Sequence, residues 1–325
     1  MRTIVTLICA TALAWAAPVS AADLLFYSSV PRFLNDPVNK AFEAKNPGVK
    51  ITMFQTGAEA LIDKLELEIQ GKGKPDADVI WLHGLHMLQR YAQKGLLVKH
   101  VPPDADKIAP AYRDPSGFFH AATVAHAVLM YNSNALNEKT APQSWQDLVA
   151  PRFDNKLTFA NPRISGTGAA VVSALVQNLG WPYIEKLAKN RPQIAAGHPA
   201  MVSTIIAGER TVGPMLDYSI VAAQEKKQPI GFIFPREGAV AAAAYVAIVN
   251  GTKAAAEARK FADFYLSKEA AAILQKSGVY HPRIDVEPPK GWPSITQIKA
   301  MPLDWEKHAA SLEDVKKKFS ELTEK

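Results

Sequence analysis

The chain has 325 residues, 48% apolar, 21% charged and 9% aromatic, a balance that excludes a disordered polymer, a collagen-like repeat or a bundle of membrane spans. The length suits two domains of ordinary size, each able to bury its own core. Lys and Arg outnumber Asp and Glu by 37 to 31, a formal charge of +6; the densest basic run, Lys316-Lys317-Lys318, is interleaved with Glu313, Asp314 and Glu321 and reads as a solvated helix face, so no nucleic-acid partner is expected.

Residues 1–21 read as a secretory signal peptide. Arg2 precedes the apolar run Thr3 to Ala17, Pro18 breaks it, and the small residues Val19 and Ala21 fit cleavage after Ala21. The run is too short for a comfortable membrane crossing. The expected mature chain starts at Ala22, loses Arg2 and carries +5. Its only cysteine, Cys9, lies in the leader, after too few apolar residues to serve as a lipid anchor, so the mature protein has no disulfide, thiolate metal site or thiol nucleophile. A chain this long needs no disulfide staples. The expectation is a soluble periplasmic protein.

Beyond the leader, strands and helices alternate. Leu24 to Tyr27 is a short apolar strand, Ser28-Ser29 a polar turn, and Asp36 through Ala44 a helix. The unit repeats as strand Val49 to Phe54, turn Gln55-Thr56-Gly57 and helix Ala58 to Ile69, with Leu61, Leu65 and Ile69 at four-residue spacing. A third strand, Asp78 to Trp81, leads to a helix at Leu85 to Ala92. This alternation predicts a parallel sheet covered on both faces, with ligand gathered at the carboxyl ends of its strands. Gly117 to Tyr131 reads as two extended pieces leaving the first lobe. A second α/β unit follows: strand Leu157 to Ala160, turn Asn161 to Thr167, helix Gly168 to Leu179, helix Met201 to Ile206, strand Thr211 to Leu216 and helix Tyr218 to Gln224. The strand Ala239 to Val249 returns, and helices Lys253 to Leu266 and Glu269 to Gln275 follow. No low-complexity tether separates the halves, which predicts strand crossovers between lobes.

The opening Leu25-Phe26-Tyr27-Ser28, the segment Asp76-Ala77-Asp78-Val79-Ile80-Trp81, the motif Asn161-Pro162-Arg163-Ile164-Ser165-Gly166-Thr167-Gly168 and the closing run Asn250-Gly251-Thr252-Lys253 through Phe264-Tyr265-Leu266-Ser267-Lys268-Glu269 resemble the extracellular solute-binding proteins of bacterial ABC importers. Within that family they are most similar to the ferric-ion-binding-like branch, which also contains binders of phosphonates and sugar phosphates. The resemblance implies a two-lobed periplasmic-binding-protein fold, the type II flytrap with hinge strands, closing on one small ligand and docking on a membrane permease. The expected lobes are 22–122 with 239–325, whose C-terminal helices can pack across both lobes, and 123–238. A monomer without cofactor is expected.

Ser165-Gly166-Thr167 reads as an anion nest at a helix start, with hydroxyls and free amides at a positive dipole end; the plainer reading is that Ser165 only caps its helix. Thr56-Gly57 and Ser28-Ser29 offer the same chemistry from the first lobe. Asp217, Tyr218 and Glu237 stand at further cleft positions; a zwitterion such as 2-aminoethylphosphonate would place its ammonium on the two acids and is preferred, a sugar phosphate would fit if they accept its hydroxyl hydrogens, and the plainer readings are a helix cap for Asp217 and an exposed loop acid for Glu237. His83 is read as a cleft donor, His86 as a surface or capping residue, and Trp81 as an apolar wall whose commoner fate is the core. His120 and His126 on the crossover are read as structural. The resemblance implies two tyrosines and a histidine for a ferric site, whereas this chain has the single Tyr218 after Asp217 and no histidine at Ser28-Ser29-Val30. The classical iron geometry is therefore disfavoured, with Tyr27, His83, Asp217, Tyr218 and Glu237 left as a non-classical set. A polyamine would need more cleft acids. A secreted hydrolase is the remaining alternative, but no serine elbow, zinc helix or phosphate loop is present.

Overall fold

The computed structural model describes residues 22–289 and 291–324; the expected signal peptide lies outside them. In chain order the elements are β1 (Ala22–Ser28), α1 (Arg32–Lys45), β2 (Val49–Gln55), α2 (Ala58–Lys72), β3 (Val79–His83), α3 (Leu85–Gln93), β4 (Phe119–Asn132), β5 (Thr158–Ala160), α4 (Gly166–Leu179), α5 (Trp181–Lys189), β6 (Gln193–Ala195), α6 (His198–Ala207), β7 (Val212–Leu216), α7 (Asp217–Glu225), β8 (Ile230–Ile233), β9 (Val240–Ile248), α8 (Ala255–Tyr265), α9 (Lys268–Gln275) and α10 (Trp305–Thr323). Among them no helix is long and apolar enough to cross a membrane.

The main sheet runs β2-β1-β3-β9-β4-β7, with β8 also paired to β4. The β1 pairings to β2 and β3 are parallel, as expected of strands joined by helical crossovers. The strands β9, β4, β7 and β8 then join antiparallel. The mixed α/β architecture is the two-lobed binding-protein fold.

Three features depart from the sequence expectations. Gly117 to Tyr131 does not hold two strands: β4 is one strand of 14 residues, buried at every position, with a register shift between Ala121 and Thr123. Such a bulge bends a strand without ending it, and the polar His120, Thr123 and His126 that suggested an interruption are themselves buried. Helix α1 starts a turn before Asp36, at Arg32, and carries Pro37 inside it. The last helix, which follows the first-lobe strand β9 in sequence, lies on α4 and α5 and also reaches α3; its Val315 and Phe319 join the core of Trp145, Phe159, Leu175 and Leu187.

The first-lobe core is aromatic. Phe26 meets Phe261 edge-on at 5.0 Å, Phe42 meets Phe261 at 5.0 Å, and Trp81 meets Tyr265 at 4.9 Å. The expected place of Trp81 on the cleft wall is therefore corrected: it is fully buried, and its Nε1–H donates to the Ala244 carbonyl at 3.2 Å. A strand that must cover both faces turns alternate residues away from the ligand rim. Trp81→Ala is expected to destabilise the protein by about 3–5 kcal/mol while the folded fraction keeps its ligand affinity; an unchanged melting temperature with lost binding would return the indole to the cleft.

Candidate functional site

A cavity of about 420 Å³ lies between the helix starts of the two lobes, within the range of small-molecule sites. Five helix N-termini that follow strands reach its wall, beside the first turn of α10 at Trp305. Ser29, Val30 and Pro31 lead into α1, Gly57, Ala58 and Glu59 open α2, Gly84 and His86 open α3, Gly166 and Thr167 open α4, and Leu216 and Tyr218 flank the start of α7. The starts of α1, α2 and α3 have no side-chain cap, so their first N–H groups are left to solvent or ligand, whereas at α7 the Tyr218 N–H is taken by Asp217. Gly84 makes the β3 to α3 turn at φ 135°, a conformation that side chains rarely adopt. None of the described wall residues is Lys or Arg, and Glu59 is the one acid among them.

Several of the residues singled out in the sequence meet here: Ser29, Gly57, His83, Gly166, Thr167 and Tyr218 line the cavity. Ser29 Oγ accepts the His83 backbone N–H at 2.8 Å and lies 3.1 Å from His83 Nδ1. Together the two contacts fix the His83 ring against Ser29 through its Nδ1 edge. Burial pushes the His83 pKa down to about 4, so at neutral pH the ring is uncharged. Across the cleft Ser165 Oγ accepts the Gly168 N–H at 3.0 Å and lies 3.3 Å from Thr167 Oγ1, with His198 Nδ1 at 3.5 Å beyond. Ser165 is thus a helix cap that steers Thr167. Gly168 lets α4 approach β5, since a Cβ there would stand 3.1 Å from the Ala160 carbonyl oxygen. Burial and the nearby Asp217 charge push the Tyr218 phenol up to about 12, and its ring faces Phe33 of the other lobe at 6.1 Å.

Other candidates lie elsewhere. Ser28 is buried and its Oγ accepts the Val30 N–H at 3.1 Å, which shapes the turn. Thr56 donates its N–H to the Ser28 carbonyl at 3.2 Å beside Gly57 and is not part of the wall. The placement of Asp217 and Glu237 as ammonium acceptors is corrected. Asp217 is fully buried; its Oδ2 accepts the backbone N–H of His126 at 3.0 Å and lies 2.9 Å from His126 Nδ1, and its Oδ1 accepts the Tyr218 N–H at 2.8 Å. Desolvation raises its pKa. Glu237 accepts the N–H groups of Trp145 and Gln146 at 3.0 and 3.1 Å, capping a short helical turn. An acid after a strand is as useful to orphan amides as to a ligand, and the sequence does not distinguish the two. Of the non-classical iron set only His83 and Tyr218 reach the cavity, since Tyr27 donates to Glu68 at 3.0 Å; among the described residues no three His, Cys, Asp or Glu gather as metal ligands.

Sequence reasoning missed Glu59, Trp305 and His308, and gave His86 to the surface. Glu59 carried a signal, being two residues past Gly57. Trp305 and His308 carried none, because only the return of α10 to the cleft brings them there.

The family model for bacterial extracellular solute-binding proteins matches residues 74–310, and the chain belongs to that family. It is a binding protein, not an enzyme. A protein of Salmonella paratyphi A, provisionally assigned as a periplasmic 2-aminoethylphosphonate-binding protein, is 28% identical over 256 residues, 75% of this chain and 73% of the relative. Among solved structures, iron-bound HitA from Pseudomonas aeruginosa is similar with a TM-score of 0.78 and 22% identity, covering 92% of this chain and 99% of that one. AfuA from Actinobacillus pleuropneumoniae, with fructose-6-phosphate bound, gives 0.76 and 24%, covering 94% and 99%.

Asp217→Asn, by removing the charge from three hydrogen bonds, is expected to cost about 2–3 kcal/mol of stability and to weaken amine-bearing and amine-free ligands equally; a loss confined to the amine would put the carboxylate back in the cleft. Burial holds His83, His198, His281 and His308 near 4, below the ordinary 6.5, so the unfolded chain binds the extra protons. Stability is therefore full above about pH 6.5 and falls as pH drops toward 4. Thermal melts across that window should show the fall, flattened by His281→Gln, and a pH-independent melting temperature would overturn it.

Proposed function

We propose that this protein is the periplasmic substrate-binding component of an ABC importer, that it captures a small oxyanion-bearing organophosphorus solute between its lobes, and that it delivers the solute to a membrane permease. The observation that carries the reading is the convergence of five helix N-termini on a cavity whose described wall has no cationic side chain. Each helix start carries roughly half a positive charge, and the uncapped starts of α1, α2 and α3 add unpaired N–H donors. Donors from both lobes make ligand binding favour a closed state, because only that state engages them together. The uncharged His83 ring and the Thr167 hydroxyl add neutral polar groups. Relatives described as binders of phosphonate support this ligand class. Ferric iron is the weaker alternative: it calls for anionic oxygens, whereas the Tyr218 phenol holds its proton up to about 12.

A thermal-shift and calorimetric screen of purified protein against phosphonates, phosphate esters, ferric citrate and polyamines tests the proposal. An organophosphorus compound should bind one to one and be recovered unchanged. Thr167→Ala and Ser29→Ala should each weaken it about tenfold, the second by releasing the His83 ring. Binding of ferric citrate or polyamine alone, or turnover of a phosphate ester, would refute the reading.

A further inference from the structure

One part of the cavity wall owes nothing to the strand ends. Helix α10, seated on α4 and α5 of the second lobe, reaches α3 of the first and places Trp305 and His308 on the wall, where His86 of α3 also stands. The three form a built group. Trp305 and His308 meet edge-on at 5.5 Å, His308 Nδ1 is fixed 2.7 Å from Ser173 Oγ, and a charge on His86 would act on His308. The His86 Nδ1 is buried without a hydrogen-bond partner among the described residues, a state that buried polar atoms rarely keep unless a ligand or water completes them. Both imidazoles are depressed by burial, so neither is charged at neutral pH, and His308, with Nδ1 taken by Ser173, keeps Nε2 for a ligand.

We propose that this α3–α10 wall is a second subsite, one that sets specificity by receiving an uncharged hydroxylated group, so that the solute is a phosphate ester of a polyol or sugar and not an aminoalkylphosphonate. The inference rests on the oxyanion reading above and goes beyond it. A hydroxyl can give or take a hydrogen bond, so it pairs with a free nitrogen of a neutral imidazole whichever tautomer the ring adopts. An ammonium only gives, and calls for a carboxylate. The two acids expected to supply one, Asp217 and Glu237, are occupied elsewhere. Glu59, the acid that remains, is exposed and sits in the first turn of α2, where its charge already favours the helix. The cavity also has room well beyond a bare phosphate.

Calorimetry of the purified protein with glucose 6-phosphate, ethyl phosphate and 2-aminoethylphosphonate decides the matter. Glucose 6-phosphate is expected to bind at least tenfold more tightly than either of the others. His86→Leu and Trp305→Leu, with melts confirming that each folds, should each weaken glucose 6-phosphate about tenfold and leave ethyl phosphate unchanged. If 2-aminoethylphosphonate binds most tightly and Glu59→Gln removes its advantage, the subsite assignment is wrong and Glu59 reads an ammonium. Equal affinity for glucose 6-phosphate and ethyl phosphate also overturns it, with the oxyanion reading intact. Failure of all three probes to bind overturns the oxyanion reading itself.

Discussion

Everything about the site follows from where the helices begin. A strand that ends at the sheet edge and turns directly into a helix leaves that helix's first amides without intrahelical partners at the edge, and the fold repeats this turn at α1, α2, α3, α4 and α7 around one cavity, with single amides of α4 and α7 taken by Ser165 and Asp217. In water such partial charges would count for little, because the high dielectric weakens them and salt screens them. Between two lobes they face a smaller, drier volume. The side chains nearby cooperate by staying neutral: His83 and His308 are held near 4 and Tyr218 near 12. An anion therefore meets oriented dipoles without a competing fixed cation.

Two strands hold the lobes in register. Because β4 pairs with β9 from Phe119 to Ala127 and with β7 and β8 beyond, one continuous backbone serves both halves. The register shift between Ala121 and Thr123 puts a bend into that shared strand. Helix α10 adds a third link, tied by Val315 and Phe319 to the second-lobe core and reaching α3 of the first.

Much of this was legible in the chain. The alternation of Leu24 to Tyr27, Ala58 to Ile69 and Asp78 to Trp81 predicts the parallel edge of the sheet, because period and length together separate strand from helix. The turns at Ser29, Gly57 and Thr167 were visible because hydroxyls and glycines cluster where a helix start must stay open. What escaped was set by tertiary contact. The expected break in β4 came from polar residues whose burial no local pattern reveals, and Trp305 and His308 arrive from 80 or more residues beyond the cleft motifs of the second lobe.

The acids show the same limit in sharper form. Asp217 and Glu237 each follow a strand and precede polar backbone, as a ligand-binding acid would. Yet a folded chain produces orphan amides at every such corner, and a nearby carboxylate satisfies them at once, as Glu237 does for Trp145 and Gln146. Asp217 goes further: by holding the Tyr218 N–H on one oxygen and His126 on the other, it anchors the start of α7 from beneath. It shapes the cleft without entering it, and the charge that the sequence seemed to offer the ligand is spent on the scaffold that presents the neutral donors.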